Sequence, residues 1–226
     1  MKTRLIFDAL RVCCAALTLA AATAQAAPVV YDNTSVDLQS SVFFSTGYTQ
    51  LGDQVQLAAP STLSSLDTQF FNLGEDAVFN ATLSLYAAGG SAPTLLGSAF
   101  TVAGLSIAAG SSLTVTFADL GALAVPADVL VLFSVQLVSG NGDIGLNFFD
   151  APTTGTSDRG FFYADDGSGL APASTLMDMD NLYLQITGTP QHAVPEPASA
   201  WLVLLPLGAL VWRQRQMHRP RLRATE

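Results

Sequence analysis

The chain has 226 residues, which is enough for one domain of ordinary size and additional segments. Half of its residues are hydrophobic and only 12% are charged, well below the share that is usual in soluble domains. Residues 27–194 contain fifteen acidic residues and one cation, Arg159, which gives this segment a net charge of −14. Such a surface repels the phosphates of nucleic acid and anionic lipid, and we exclude nucleic acid as a partner of this segment.

The first 26 residues have the three parts of a secretory signal peptide. Basic residues precede an apolar run over residues 12–22, and Ala24-Gln25-Ala26 follows as a small-residue cleavage site. We therefore expect export through the Sec machinery and cleavage after Ala26. Both cysteines, Cys13 and Cys14, lie in this leader, so the mature protein is predicted to have neither a disulfide nor a catalytic thiol.

Residues 27–190 alternate between apolar and polar positions with the period of two that is typical of β-strands. In residues 80–87 this pattern puts Ala81, Leu83 and Leu85 on one face, and it recurs over residues 112–120 and 181–188. Residues 128–138 are apolar on both faces, which indicates a central strand. Gly, Pro, Ser and Asp clusters separate the strands. The sequence therefore predicts an all-β domain, an antiparallel β-sandwich of jelly-roll or immunoglobulin-like type.

Adjacent phenylalanines occur four times in this domain: Phe43-Phe44, Phe70-Phe71, Phe148-Phe149 and Phe161-Phe162. Neighbours in a strand point to opposite faces, so one ring of each pair should leave the core. The outer rings could form a platform for stacking on sugars, or loops at strand ends could cover them. We favour the second alternative, because exposed rings would form large apolar patches.

The domain lacks the residue sets of common nucleophilic and zinc sites. The two histidines, His192 and His218, lie beyond the predicted strands, and no Gly-x-Ser-x-Gly motif occurs. We predict a non-catalytic protein without a cofactor, although a glycosidase would need only two carboxylates. The hard oxygen ligands that calcium prefers are offered in short loops by Asp165, Asp166, Asp178 and Asp180. We favour a simpler role for these four residues, as turn formers on an acidic surface.

The C-terminal part of the chain contains three segments in a characteristic order. A linker over residues 191–197 ends in Val194-Pro195-Glu196-Pro197, and an apolar run over residues 198–212 follows. That run includes Trp201, Pro206, Gly208 and Trp212. The tail over residues 213–226 carries five arginines, Arg213, Arg215, Arg219, Arg221 and Arg223. As a helix the apolar run would be about 22 Å long, short of the roughly 30 Å hydrocarbon core.

This order closely resembles the PEP-CTERM protein-sorting signal, a signature that is also labelled ice-binding protein C-terminal domain. The resemblance implies an exported protein of a bacterium, in most cases Gram-negative, and recognition by an exosortase. An exosortase is a membrane-embedded cysteine transpeptidase that cuts near the Pro-Glu-Pro motif. The arginines place the tail in the cytoplasm and the domain outside. We therefore expect a transmembrane helix that anchors the protein at the inner membrane transiently, before its release.

These features together predict a non-catalytic exported protein of the cell surface or the extracellular biofilm matrix. The alternative is a carbohydrate-binding module for exopolysaccharide that uses the Tyr and Phe rings of the domain. Ice binding is a weaker alternative, because the threonines lack a fixed repeat.

Overall fold

The computed structural model describes residues 26–88, 93–172 and 181–191, without the side chains of residues 158–162. The predicted signal peptide, the sorting motif at Val194–Pro197, the apolar run over residues 198–212 and the arginine-rich tail lie outside these residues. Within the described ranges, none of the helical structure is long and apolar enough to cross a membrane. The export and anchoring segments therefore stay predictions from the sequence.

The described chain is built almost entirely from β-strands, with one short 3₁₀ turn at Phe44–Thr46. The strands are β1 Val29–Asn33, β2 Asp37–Phe43, β3 Gln50–Gln56, β4 Ser61–Asn72, β5 Ala77–Ala87, β6 Thr94–Leu95, β7 Phe100–Ile107, β8 Ser111–Phe117, β9 Ala124–Val125, β10 Asp128–Gly140, β11 Ile144–Phe149, β12 Thr156–Asp165, β13 Leu170–Pro172, β14 Asn181–Leu182 and β15 Leu184–Pro190.

These strands form two antiparallel sheets, which we call sheet A and sheet B. Sheet A has the order β1-β15-β4-β11-β14, with β2 paired to β11 and with β8 and β9 paired to β4. Sheet B has the order β13-β12-β3-β10-β5-β6, with β7 paired to β5. Many neighbours are far apart in sequence, so the sheets depend on long-range pairing. The prediction of an all-β domain with a β-sandwich architecture is confirmed.

Strand β10 has the central position that its sequence predicts. It lies between β3 and β5 in sheet B. Val129, Val131 and Phe133 belong to the hydrophobic core between the sheets. Leu130 and Leu132 alternate with them and are also buried, which explains why both faces of this segment are apolar.

Aromatic side chains join the two sheets at the centre of the core. Phe70 of sheet A contacts Phe79 and Phe133 of sheet B, with ring centroids 5.3 and 6.0 Å apart. Phe117 of sheet A lies 6.0 Å from Phe133. The inward residues predicted for β5, Ala81, Leu83 and Leu85, are all fully buried. Residues 27–190 contain no cysteine, so no disulfide joins two of these strands and packing of this kind is the main source of the domain's stability.

Candidate functional site

The outer face of sheet A combines aromatic rings with hydrogen-bonding side chains. Strands β2, β11, β4 and β8 lie side by side there, and each directs alternate residues away from the core. We call this surface the aromatic–amide face and define it by the six residues Phe43, Asp67, Gln69, Phe71, Asn147 and Tyr183. Asn147 is buried, and the other five are partly exposed. The sequence pattern predicts outward rings in this domain but does not show which polar residues lie beside them.

Two rings, Phe43 and Phe71, form one end of the aromatic–amide face. Their centroids are 6.2 Å apart in an edge-to-face arrangement. Gly145 pairs with both residues and lies between them on β11. A Cβ atom on Gly145 would lie 2.7 Å from the Phe43 ring and would collide with the Val42 carbonyl oxygen. Glycine at this position therefore allows the Phe43 ring to approach the backbone of β11 closely.

A row of hydrogen bonds crosses the face beside these rings. The Ser41 hydroxyl donates to Asn147 Oδ1 at 2.6 Å. The Asn147 amide donates to Gln69 Oε1 at 2.7 Å and to the Ser112 hydroxyl at 3.0 Å. Both polar atoms of Asn147 are therefore used, which explains how an amide can be buried there. The amide nitrogen of Gln69 donates to no other described residue, so it is available to a ligand.

Tyr183 and two carboxyl groups form the opposite end of the face. The Tyr183 ring packs edge-to-face on Phe149, with centroids 4.9 Å apart. Asp32 of β1 and Asp67 of β4 pair with Gln185 of β15 from its two sides, and Tyr183 lies just before β15 begins. Burial, and then the charges of Asp67 and Asp32, raise the pKa of Tyr183. The Oδ1 atom of Asp67 is buried and accepts no hydrogen bond from the described residues.

The pairs of adjacent phenylalanines alternate between the two faces of their strands. Phe70 lies in the core, whereas Phe71 points outward and contacts Phe43. Phe148 lies in the core, and Phe149 packs against Tyr183 on the outer face. Both pairs lie at the ends of their strands, as we expected. Phe149 is covered by Tyr183 from the connection between β14 and β15, whereas Phe71 contacts Phe43 of the neighbouring strand β2. The side chains of Phe161 and Phe162 lie outside the described part.

A second polar group, Asp53, is buried between the two sheets. It lies on β3 between the core residues Leu51 and Val55 and points inward with them. Its carboxylate accepts hydrogen bonds from the backbone N–H of Leu182 and from the Ser157 hydroxyl. Asn33 donates its amide N–H to the Leu182 carbonyl oxygen at 2.8 Å. Asp53 and Asn33 therefore bind the backbone of Leu182, which pairs with Phe148 at the end of sheet A.

Burial raises the pKa of Asp53 to about 8, although hydrogen bonds from Leu182, Ser157 and Gln54 act in the opposite direction. Tyr31 lies beside this group and is fully buried, and its hydroxyl makes no hydrogen bond of good geometry with the described residues. Burial and the nearby Asp53 charge raise the pKa of Tyr31. Asp53 was not among the predicted site residues, although its alternation with the apolar Leu51 and Val55 indicates an inward-facing acid. We assign Asp53 a structural role, because it joins the two sheets.

The predicted calcium ligands are only partly within the described residues. Asp165 accepts N–H bonds from Gly167 and Gly169 at 2.7 and 3.1 Å. Asp166 accepts bonds from the N–H and hydroxyl of Ser168, which lower its pKa. These contacts are those of turn-forming residues. Asp178 and Asp180 lie outside, and no group of three or more His, Cys, Asp or Glu residues that could hold a metal occurs in the described ranges.

Comparison with known proteins gives no family for this chain. No protein-family model matches it, and no curated protein matches it. A solved structure of infectious bursal disease virus, Gx strain, is 14% identical over 82% of this chain, with a TM-score of 0.30. The structure of the Gt strain is 11% identical over 74% of this chain, with a TM-score of 0.28. This chain spans 51% and 37% of the two viral chains, and similarity at this level supports no argument about function.

Proposed function

We propose that this protein is a non-catalytic exported β-sandwich, sorted through its Pro-Glu-Pro signal to the cell surface or the extracellular matrix. The leader over residues 1–26 directs the chain to the Sec machinery. The short helix over residues 198–212 then holds it at the inner membrane, with the arginine-rich tail in the cytoplasm. An exosortase releases the domain by cutting near Pro195-Glu196-Pro197.

The observation that carries this proposal is the order of motif, short apolar run and basic tail over residues 194–223. A helix of about 22 Å does not span a hydrocarbon core of roughly 30 Å without distorting the bilayer, so it suits a temporary anchor. The domain between these segments is a β-sandwich in the acidic part of the chain, and its sequence predicts no catalytic set.

Intact-mass measurement of the protein from culture medium and from membranes tests the sorting step. We expect the extracellular form to begin near Ala27 and to end near Pro195–Pro197. Glu196→Ala should keep the protein in the membrane fraction, whereas the matched control Glu226→Ala should not. Extracellular protein that still carries residues 201–226 would contradict the proposal.

Carbohydrate binding is the second candidate, and the aromatic–amide face is the observation that favours it. Aromatic rings can pack against the apolar face of a pyranose, and a few placed polar groups give such sites their specificity. We expect the protein to be retained on a column of the producing cell's exopolysaccharide. Phe71→Ala should reduce retention, and Tyr86→Ala, which removes a ring from the outer face of sheet B, should leave it unchanged. Equal loss with both variants would argue against this face.

A further inference from the structure

The aromatic–amide face presents three kinds of group in line along strand β4. Phe71, Gln69 and Asp67 occupy alternate positions, so their side chains point to the same side of the sheet. They offer an aromatic ring, an amide and a carboxyl group, in this order. From Phe71 to Asp67 the strand advances by four residues, about 13 Å. A polysaccharide that lies along β4 would therefore meet the ring, the amide and the carboxyl group through different sugar units.

The charge on this face restricts the kind of polysaccharide. Sheet A contains no lysine or arginine in the part of the chain that the structure describes, because the one cation there, Arg159, belongs to β12 of sheet B. Asp32 and Asp67 lie on the two sides of Gln185. A polyuronate would place its carboxylates against these acids and would be repelled. A neutral glucan would leave the Asp67 carboxyl group without a charged partner.

An ammonium group meets the requirements of this acidic end. It can form a charge-assisted hydrogen bond with the Asp67 carboxyl group, which is partly exposed on this face. Beside it lies the Tyr183 ring, which can attract the same cation through its π face. A second copy of this chain is a poor occupant, because two domains of charge −14 repel each other.

We propose that the aromatic–amide face binds a hexosamine polymer with free amino groups. One sugar packs on the rings of Phe43 and Phe71, and its hydroxyl groups accept hydrogen bonds from the amide of Gln69. The amino group of a following sugar lies between Asp67 and Tyr183. This inference rests on the carbohydrate-binding function proposed above, and it adds the class of sugar and the position of the charged subsite.

Binding of short glucosamine oligosaccharides to the full-length protein in detergent tests this assignment. The comparison ligands are N-acetylglucosamine oligosaccharides of the same length, a neutral glucan and a polyuronate. We expect the amine form to bind at least about tenfold more tightly than the acetylated form, because acetylation removes the charge-assisted bond. Asp67→Asn should abolish this difference, and Phe71→Ala should weaken both ligands.

Asp128→Asn is the matched control, because it removes the same charge from a partly buried strand residue of sheet B. It should leave the preference for the amine form unchanged, and the melting temperature of each variant shows whether the fold is intact. Equal binding of amine and acetylated ligands, or an equal loss in both aspartate variants, would overturn the assignment. If the wild type then still binds the cell's own exopolysaccharide through Phe71, carbohydrate binding stands and only the sugar class is wrong. If it binds no polysaccharide, carbohydrate binding also fails.

Discussion

Replacing Asp53 with asparagine removes a carboxyl group that is buried between the two sheets. Burial raises its pKa from 3.8 to about 8, so between these values the folded protein holds a proton that the unfolded chain releases. The free energy of unfolding is therefore undiminished by Asp53 below about pH 4, and it decreases as the pH rises towards 8. One pKa unit is worth about 1.4 kcal/mol, so ionisation costs the folded state roughly 5 kcal/mol by pH 8. That is a large part of the 5–15 kcal/mol that is typical of a domain.

Urea unfolding of the wild type and of Asp53→Asn between pH 4 and pH 9 measures this cost. Between pH 5 and pH 8 we expect the free energy of unfolding to fall more steeply in the wild type than in Asp53→Asn, with a difference in slope of about 1.4 kcal/mol per pH unit. At pH 4 the variant should be equal to the wild type or less stable by about 1 kcal/mol, because its NH₂ group cannot accept the hydrogen bonds of a carboxyl oxygen. At pH 8 the variant should be the more stable protein, so the two curves cross.

Ser157→Ala provides a second variant with a predicted sign. The Ser157 hydroxyl donates to the Asp53 carboxylate and so lowers its pKa. Its removal should raise the folded-state pKa further and extend the loss of stability to higher pH. Parallel pH profiles for the wild type and Asp53→Asn would refute the reasoning, because they would show that Asp53 has the same proton affinity in both states.

Three further predictions concern the core, the outer face and the acidic loop. Phe70→Ala should lower the free energy of unfolding by about 3–5 kcal/mol, because it leaves a cavity beside Phe79 and Phe133. Phe71→Ala should lower it far less, and urea titrations of both variants check this difference. Gly145→Ala should lower the free energy of unfolding by about 1–3 kcal/mol in the same assay, because its Cβ would collide with β2. An unfolding midpoint equal to that of the wild type would contradict this contact. Calcium and magnesium should raise the melting temperature equally, because Asp165 and Asp166 act as turn residues; a larger shift with calcium would indicate a specific site.

Local sequence pattern determined the class of this fold. The alternation in residues 80–87, 112–120 and 181–188 predicted strands, and Leu83, Val115 and Ile186 are buried as expected. The apolar run over residues 128–138 predicted a central strand, which is β10. These predictions succeeded because a strand directs successive side chains to opposite faces, so burial on one face leaves a period of two in the sequence.

The tertiary structure alone decided which residues share a surface. Ser41 and Gln69 meet at Asn147, from 106 and 78 residues away along the chain. Asp53 receives a hydrogen bond from Leu182, on the opposite sheet. Alternation within one strand indicates which side chains point outward. It does not indicate which strands are neighbours or the register in which they pair. Strand order and register are set by long-range packing of the whole core, so neither the aromatic–amide face nor the partner of Asp53 could be read from local sequence.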